Sequence, residues 1–303
     1  MGEVAGIGVA NVDYIFTNIS RIPNLGEEIY SEGFSKQLGG GTVATLITLS
    51  WLGVPVKLGT FIGQGPLSQF LANELEKYKI PYINMLATDE RDPVIITCVL
   101  STSTDRAFVS YCPERAAFQM EKKSLHEFYK GSQIAYVSFD MREKCQFLKE
   151  EGAVVVLDSS WDDKMCLEWF ADFAPYVDYF IPNEAEALKL TGRNTPEEAI
   201  EVLGQYIKIP IVKLGNRGCL VKENGHSLIA PPIDVKHVDA TGAGDSFAAG
   251  FLYGLYHGYN TLDSIRFGNI AGGSAVMKVG CLSSDIDESM LLEKYQAVYR
   301  QSA

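Results

Sequence analysis

The feature that most constrains the fold is an alternation of short apolar runs with helical patterns in the second half of the chain. The apolar runs begin near Ala135 with IAYVSF and continue as AVVVLD, VDYFIP and IPIVKL. The helical patterns between them predict helices over 142–150, 163–173, 184–190 and 196–207. Because strands joined through crossover helices pair in parallel, the alternation predicts a mostly parallel sheet with helices on both faces.

A turn signal and two further helical patterns follow these runs. The dipeptide Asn224-Gly225 suits a type I′ turn and therefore predicts a hairpin. Helices are predicted over 244–257 and 262–277, directly after a glycine-rich segment.

The first 115 residues follow a different pattern. A predicted strand over 4–9 leads into a proline-containing stretch with short β-like runs over 14–34, and VIITCVL and AFVSYC predict a hairpin around 102–105. Four or so such strands would form a small sheet over the main domain. We expect one domain over 1–303 with a lid at about 12–38 and 92–115, of a kind that closes an active site against water.

Charge and composition limit the classes of partner. A formal net charge of −12 and a pI near 4.9 argue against nucleic-acid binding. The same charge would repel a nucleotide, so a nucleotide site must be built from backbone amides and metal. The sequence has neither a secretory-signal pattern nor a run long enough to span a bilayer, so we expect a cytoplasmic protein that does not bind membranes.

The glycine-rich segment DATGAGDSFAAGF is the most informative motif. Gly242, Ala243 and Gly244 precede Asp245 and an apolar helix. Such a loop lets backbone amides converge at a helix N-terminus, which predicts an anion site that needs no lysine. Asp245 would stand beside the anion, where a general base could take a proton from an incoming hydroxyl. The simpler interpretation is a tight loop followed by an acidic residue that stabilises the helix.

This segment resembles the C-terminal signature of the ribokinase-like, or PfkB, carbohydrate kinases, D-T-x-G-A-G-D-x-F-x-x-G, with Ala240 in place of a common threonine. The resemblance implies a three-layer ribokinase-like α/β domain with a mostly parallel central sheet and a small β-sheet lid. It further implies ATP-dependent phosphorylation of a sugar hydroxyl, with Asp245 as general base and the loop 242–244 as anion hole.

Two further matches concern the sugar. LGGGTVATLITLSWLG resembles the family's Gly-Gly signature at Gly39 and Gly40, although Ala44 stands where many members carry a sugar-contacting asparagine. Asn11 and Asp13 resemble the family's Asn-x-Asp, whose aspartate hydrogen-bonds sugar hydroxyls. The resemblance therefore implies a sugar site at these four matching residues, but not which sugar occupies it.

The segment FIGQGPLS departs from the family pattern. Where the family has Gly-x-Asp-x-x-Gly, this chain has Gly65 and Ser68 in place of the aspartate and the second glycine. The departure leaves the class of sugar open.

The remaining matches concern the nucleotide and metal ions. Asn183 and Glu186 resemble a motif associated with Mg²⁺ through water. The residues that the resemblance places along the nucleotide are Asn183, Lys213, Gly215, Gly218, Asn269 and Gly273. The residues that match a monovalent-cation site of some relatives, for K⁺, are Asp239, Gly280 and Ser284.

Several functions remain open on these residues. We expect a homodimer through the lid, because exposed edges of a small sheet are often covered by a second copy. The alternatives are a nucleoside or sugar-phosphate kinase of the same family, or a non-catalytic regulator that binds a sugar or a nucleotide. Arg106 and Arg115, near the second lid hairpin, would pair with an anionic substrate.

Overall fold

Thirteen strands form two separate sheets in the computed structural model, which describes residues 2–86, 92–102, 106–113, 122–278, 280–282 and 284–300. The strands are β1 (Val4–Ile7), β2 (Asn11–Thr17), β3 (Gly33–Gly39), β4 (Val56–Thr60), β5 (Tyr82–Asn84), β6 (Ile95–Ser101), β7 (Arg106–Tyr111), β8 (Ile134–Ser138), β9 (Val154–Asp158), β10 (Tyr179–Phe180), β11 (Ile209–Lys213), β12 (Cys219–Glu223) and β13 (His226–Ala230). The nine-stranded sheet has the order β13-β12-β11-β10-β9-β8-β1-β4-β5, and the four-stranded sheet has the order β3-β2-β6-β7.

In the spatial order of the large sheet, all neighbouring strands from β5 at one edge to β11 pair in parallel. The described strands β12 and β13 at the other edge pair antiparallel. Its inner strands read as continuous apolar runs because both of their faces are covered. The predicted turn at Asn224 and Gly225 joins β12 to β13, and both residues have positive φ, 51° and 79°, as a type I′ turn requires.

Ten α-helices cover the two faces of this sheet in the described part of the chain. They are α1 (Gly41–Trp51), α2 (Pro66–Lys77), α3 (Lys122–Tyr129), α4 (Cys145–Glu150), α5 (Leu167–Ala171), α6 (Glu184–Thr191), α7 (Pro196–Leu203), α8 (Ala243–Tyr256), α9 (Thr261–Ala275) and α10 (Glu288–Tyr295). Helices α1, α2, α8, α9 and α10 contribute to one apolar core, and α3 to α7 contribute to the other. The predicted three-layer architecture is therefore confirmed, and no described helix has the length and apolarity of a membrane span.

The small sheet is the lid. Strand β2 pairs antiparallel with β3 and parallel with β6, and β6 pairs antiparallel with β7, so the predicted second hairpin is present. Residues 103–105 of its turn and Arg115 lie outside the described residues. Because side chains alternate along a strand, Asp13 and Thr97 share the face toward the main domain, and Tyr14, Phe34 and Val109 share the other.

Several predicted boundaries were wrong. The helix predicted over 163–173 is only Leu167–Ala171, because side chains compete for the backbone before it. The Asp162 carboxylate accepts from the amide of Lys164 at 2.8 Å, which favours a turn. The first residues of the helix predicted over 142–150 belong to a 3₁₀ helix, Phe139–Lys144, and the α-helix begins only at Cys145. The helix predicted over 196–207 ends at Leu203, and the strand predicted over 4–9 ends at Ile7.

Candidate active site

The glycine-rich loop ends at the first residues of α8. Gly242 is the N-cap of that helix with φ 76°, and a β-carbon there would lie 2.6 Å from the carbonyl oxygen of Cys281. Only glycine fits this conformation and this close approach. The amide of Ala243 donates to the carbonyl of Ala240 at 3.2 Å and closes the turn. The amides of Gly242 and Gly244 are therefore the loop's candidates for contact with an anion.

Asp245 lies in the first turn of α8, beside the start of α1. Its Oδ1 atom is 3.2 Å from the position of a β-carbon on Gly41, and its backbone carbonyl accepts from the Thr45 hydroxyl at 3.2 Å. Two helix N-termini thus meet at this carboxylate. A partly buried acid in this position is fixed in space by the main domain.

Desolvation raises the pKa of Asp245 to about 7. This value includes smaller increases from the carboxylates of Asp158 and Asp13, which Lys213 and Arg106 oppose. A carboxylate with a pKa near neutrality is suited to accept a proton and to release it again.

A cleft of about 300 Å³ separates the lid from the main domain at this point. Its lining residues from the two sides are Asn11, Asp13, Gly40, Thr97, Arg106, Phe108, Ser110, Thr241, Gly242, Asp245 and Cys281. The structure thus brings the predicted sugar residues together with the predicted base. It also adds Thr97, Phe108, Ser110 and Cys281, which the sequence patterns did not indicate.

Asp13 and Asn11 form the lid wall of the cleft. Burial raises the pKa of Asp13 to about 6, and a hydrogen bond from Thr97 partly offsets this. A β-carbon on Gly39 would overlap the Asp13 carboxylate, so the cross-strand glycine makes room for it. The buried Oδ1 atom of Asn11 has no hydrogen-bond partner within the described residues. An acceptor left open at a cleft wall fits a ligand hydroxyl.

Lys213 reaches the glycine-rich loop from the end of β11. Its Nζ atom donates to Asp158 Oδ1 at 3.0 Å and is 3.6 Å from the position of a β-carbon on Gly244. Burial acts to lower the pKa of Lys213, but the carboxylates of Asp158 and Glu186 raise it overall, so the ammonium stays charged. The loop pattern predicted an anion site that needs no lysine, and the structure places the Lys213 ammonium beside that loop.

Asp158 and Tyr136 are two further residues near the site that the sequence patterns missed. The Tyr136 hydroxyl donates to Asp158 Oδ2 at 2.7 Å and lies 3.2 Å from the Thr45 hydroxyl. The available signal was the position of Asp158 at the end of AVVVLD, since the carboxyl ends of parallel strands meet at one edge of a sheet.

Asn183 and Glu186 form a capping box at the start of α6. The Asn183 side chain accepts from the Glu186 amide at 2.9 Å, and Glu186 Oε2 accepts from the Asn183 amide at 2.8 Å and from Ser159 Oγ at 2.6 Å. Residue 183 also pairs with residue 213, which places this helix start beside Lys213.

The donor set around Glu186 fits a Mg²⁺ ion that keeps its own waters. Burial raises the pKa of Glu186, which Lys213 opposes. The described residues contain no group of three or more histidine, cysteine, aspartate or glutamate side chains that would enclose a metal. One carboxylate near a phosphate site is a common arrangement for Mg²⁺.

The donor set around Asp239 fits a monovalent cation poorly. Its Oδ1 atom accepts from the amide and the hydroxyl of Thr241 at 3.0 and 2.8 Å, and its Oδ2 atom accepts from the Gly280 amide at 2.9 Å. Arg106 Nη1 lies 3.8 Å from the same carboxylate, and the Ser284 hydroxyl accepts from the amide of Ile286 at 3.2 Å. These contacts hold together the loops around residues 239 and 280.

The other predicted nucleotide residues surround the segment that follows β13. Gly215 and Gly218 have φ 60° and 85°, and a β-carbon on Gly218 would overlap the carbonyl of residue 230. Asn269 Nδ2 donates to the Pro231 carbonyl at 2.8 Å, and Gly273 faces Ile233. The structure therefore gathers Gly218, Gly273 and Asn269 around residues 230–233, and none of the three lines the cleft described above.

Comparison with known proteins identifies the family. The family described as "pfkB family carbohydrate kinase" matches residues 1–288. The chain belongs to this family. The carbohydrate kinase is 26% identical over 286 residues to ribokinase of Lactococcus lactis, with 92% of each chain covered. It is 23% identical over 304 residues to ATP-dependent 6-phosphofructokinase of Thermoanaerobacterium thermosaccharolyticum, covering 94% of this chain and 92% of that one.

The fold of the kinase is also that of solved structures. Arabidopsis thaliana ribokinase, complexed with ribose and ATP, superposes with a TM-score of 0.80 at 22% identity, covering 98% of this chain and 99% of that one. At this identity the likeness shows the ribokinase fold, a large mostly parallel sheet with a second small sheet.

Proposed function

We propose that this carbohydrate kinase transfers the γ-phosphoryl group of ATP to a hydroxyl of a sugar bound between the lid and the glycine-rich loop. Asp245 acts as the general base. The observation that carries the proposal is that one cleft is lined by Asp245, by the loop residue Gly242 and by the lid residues Asn11 and Asp13. In this proposal residues 1–303 act as one cytoplasmic domain, with the lid at about 12–38 and 92–115.

The chain's own groups perform the transfer by position and charge. Asp13 and Asn11 orient the sugar, and Asp245 takes the hydroxyl proton as the new oxygen–phosphorus bond forms. The bond between the γ-phosphorus and the bridging oxygen of the β-phosphate breaks in the same transfer, and ADP leaves with that oxygen. The amides of Gly242 and Gly244, together with the Lys213 ammonium, stabilise the charge on the transferring group.

The donor side of the site lies beside that loop. A bound Mg²⁺, reached through water by Glu186, would neutralise charge on the phosphates. The nucleotide would extend from Asn183 and Lys213 along Gly215 and Gly218 toward the groove near Asn269 and Gly273.

The class of acceptor is open among sugars, sugar phosphates and nucleosides. Position 44 is a buried alanine and supplies no side-chain amide. Thr97 and Ser110 add hydroxyl groups to the lid wall that Asp13 and Asn11 form. Turnover of ATP against a panel of sugars, sugar acids, sugar phosphates and nucleosides would identify the acceptor.

The replacement Asp245→Asn tests the general base. We expect turnover to fall by about 100-fold or more while ATP affinity, measured by calorimetry, stays within about twofold. Asp172→Asn, an exposed aspartate outside the cleft, is the matched control and should retain activity. Near-normal turnover by Asp245→Asn would refute the assignment.

The outer face of the lid supports a homodimer. Phe34, Val109 and Tyr111 are 59%, 68% and 63% exposed, and Tyr14 stacks on Phe34 across the same face. Strands β3 and β7 are also open edges of this sheet. We expect light scattering at micromolar concentration to give the mass of a dimer and Val109→Lys to give that of a monomer. A monomeric wild-type protein would contradict this part of the proposal.

A further inference from the structure

A carboxylate from a distant part of the chain lies at the N-terminus of helix α2. The helix's own N-cap residue is Gly65, which has no side chain to accept a hydrogen bond. The space beside Gly65 is filled by the carboxylate of Asp92, which a β-carbon on residue 65 would overlap. The buried hydroxyl of Ser68 donates to Asp92 Oδ1 and accepts from the Gly63 amide at 2.9 Å. A carboxylate in this position stabilises the partial positive charge of the helix start.

Asp92 stands where the chain passes from the main domain into the lid. Val94, two residues later, is 3% exposed and belongs to the core of the main domain. Strand β6 begins at Ile95, in parallel register with Asn11, and its Thr97 is in register with Asp13. The Thr97 hydroxyl hydrogen-bonds Asp13 and lies 3.1 Å from the Ser110 hydroxyl. A short path along one strand thus joins the carboxylate at the start of α2 to the lid wall of the cleft.

We propose that Asp92 is a positioning residue for the acceptor sugar. Its carboxylate anchors the first residues of β6 to α2, and this anchor holds Thr97 in place against Asp13. The inference rests on the proposed function, because it assigns Asp13 to the sugar. The position of Asp92 also accounts for the absence of the family's aspartate at residue 65. In this chain the carboxylate beside the start of α2 comes from residue 92, and Ser68 binds it.

A carboxylate that served the helix alone would not need to come from the lid. Asp287 shows the local alternative, because it caps α10 by accepting from the Met290 amide at 2.8 Å and from its neighbour Ser289 at 2.7 Å. Both aspartates therefore bind a serine hydroxyl at a helix start, but only Asp92 connects that helix to a strand of the lid. Asp287→Ala is accordingly a matched control for Asp92→Ala.

The test compares the KM values of the two substrates. We expect Asp92→Ala to raise KM for the acceptor sugar by about fivefold or more, with KM for ATP changed by less than about twofold. Asp287→Ala should lower the melting temperature and leave both KM values unchanged.

A double variant moves the carboxylate back to the helix. Gly65→Asp alone should raise KM for the sugar above the wild-type value, because the new side chain overlaps that of Asp92. Gly65→Asp combined with Asp92→Thr removes the overlap, restores a carboxylate bound to a hydroxyl, and should return KM for the sugar to within about twofold of wild type. Equal rises in both KM values, or no rescue by the double variant, would overturn the proposal.

Hydrogen–deuterium exchange separates this proposal from the catalytic one. Asp92→Ala should accelerate exchange of amides in β6 and β2 relative to the rest of the protein, and the double variant should reverse the change. This readout requires no turnover, so it stands even if the wild-type protein phosphorylates no sugar. Unchanged exchange in β6 would overturn the anchoring role of Asp92.

Discussion

Replacing Asp245 by asparagine should stabilise the protein at the pH where the enzyme works. Desolvation raises the pKa of this carboxyl from 3.8 to about 7 in the folded chain. The folded state therefore holds a proton that the unfolded state releases between these values. For such a raised pKa, the free energy of unfolding falls as pH rises through that window, and the full penalty is present above pH 7.

The pKa difference sets the size of the effect. A difference between 3.8 and about 7 corresponds to at most about 4 kcal/mol. Asp245 is partly open to water in the cleft, which screens its charge, so we expect about half of that value. Asparagine has nearly the same shape and carries no charge, so burial of a charge does not lower the free energy of unfolding of the variant.

The assay is urea denaturation of wild type and Asp245→Asn at several pH values. The variant should be about 2 kcal/mol more stable near pH 8, and the difference should vanish toward about pH 4. A difference below about 0.5 kcal/mol near pH 8, or one that grows toward acid, would refute the argument that this carboxylate is held in an unfavourable environment.

Three further predictions concern the same loop. The acid limb of kcat/KM for the acceptor should show an apparent pKa near 7, because Asp245 must lose its proton before it can act; a limb below about pH 5 would contradict this. Gly242→Ala should lose about 1–3 kcal/mol of stability and most of the activity. The control Gly258→Ala should remain active, because Gly258 has the same φ of 76° but open space around it. Equal activities of the two variants would contradict the steric argument. Lys213→Met should lower kcat by about 100-fold with a smaller change in KM for ATP, and an unchanged kcat would remove Lys213 from the phosphate site.

Much of the fold was predictable because local patterns and tertiary structure agree. The apolar runs of β8, β9 and β11 are buried on both faces, and the glycine at residue 225 takes the positive φ that its turn requires. Helix ends were harder to predict wherever polar side chains bind nearby backbone, as Asp162 does before α5.

Local patterns predicted the glycine-rich loop, and the family resemblance added distant residues such as Asp13 and Lys213, but the contacts among distant residues were not predictable. Gly242 and Asp245 belong to one short segment. By contrast, Lys213 reaches the Gly244 region from another strand, and Asp92 reaches Gly65 across 27 positions of sequence, contacts that no local pattern encodes. The pKa of Asp245 likewise depends on Asp158 and Asp13, which only the folded chain brings near it.

The two walls of the cleft belong to different sheets, and this division has an evolutionary consequence. Asp13 and Thr97 are carried by the lid, while Gly242 and Asp245 are carried by the main domain. Under the proposed function, a substitution at Thr97 would therefore change the acceptor side of the cleft and leave the glycine-rich loop in place, whereas one at Asp13 would also change the pKa of Asp245. Under the proposed function, a kinase of this architecture would change its acceptor through lid residues such as Thr97 while it keeps the glycine-rich loop of the main domain.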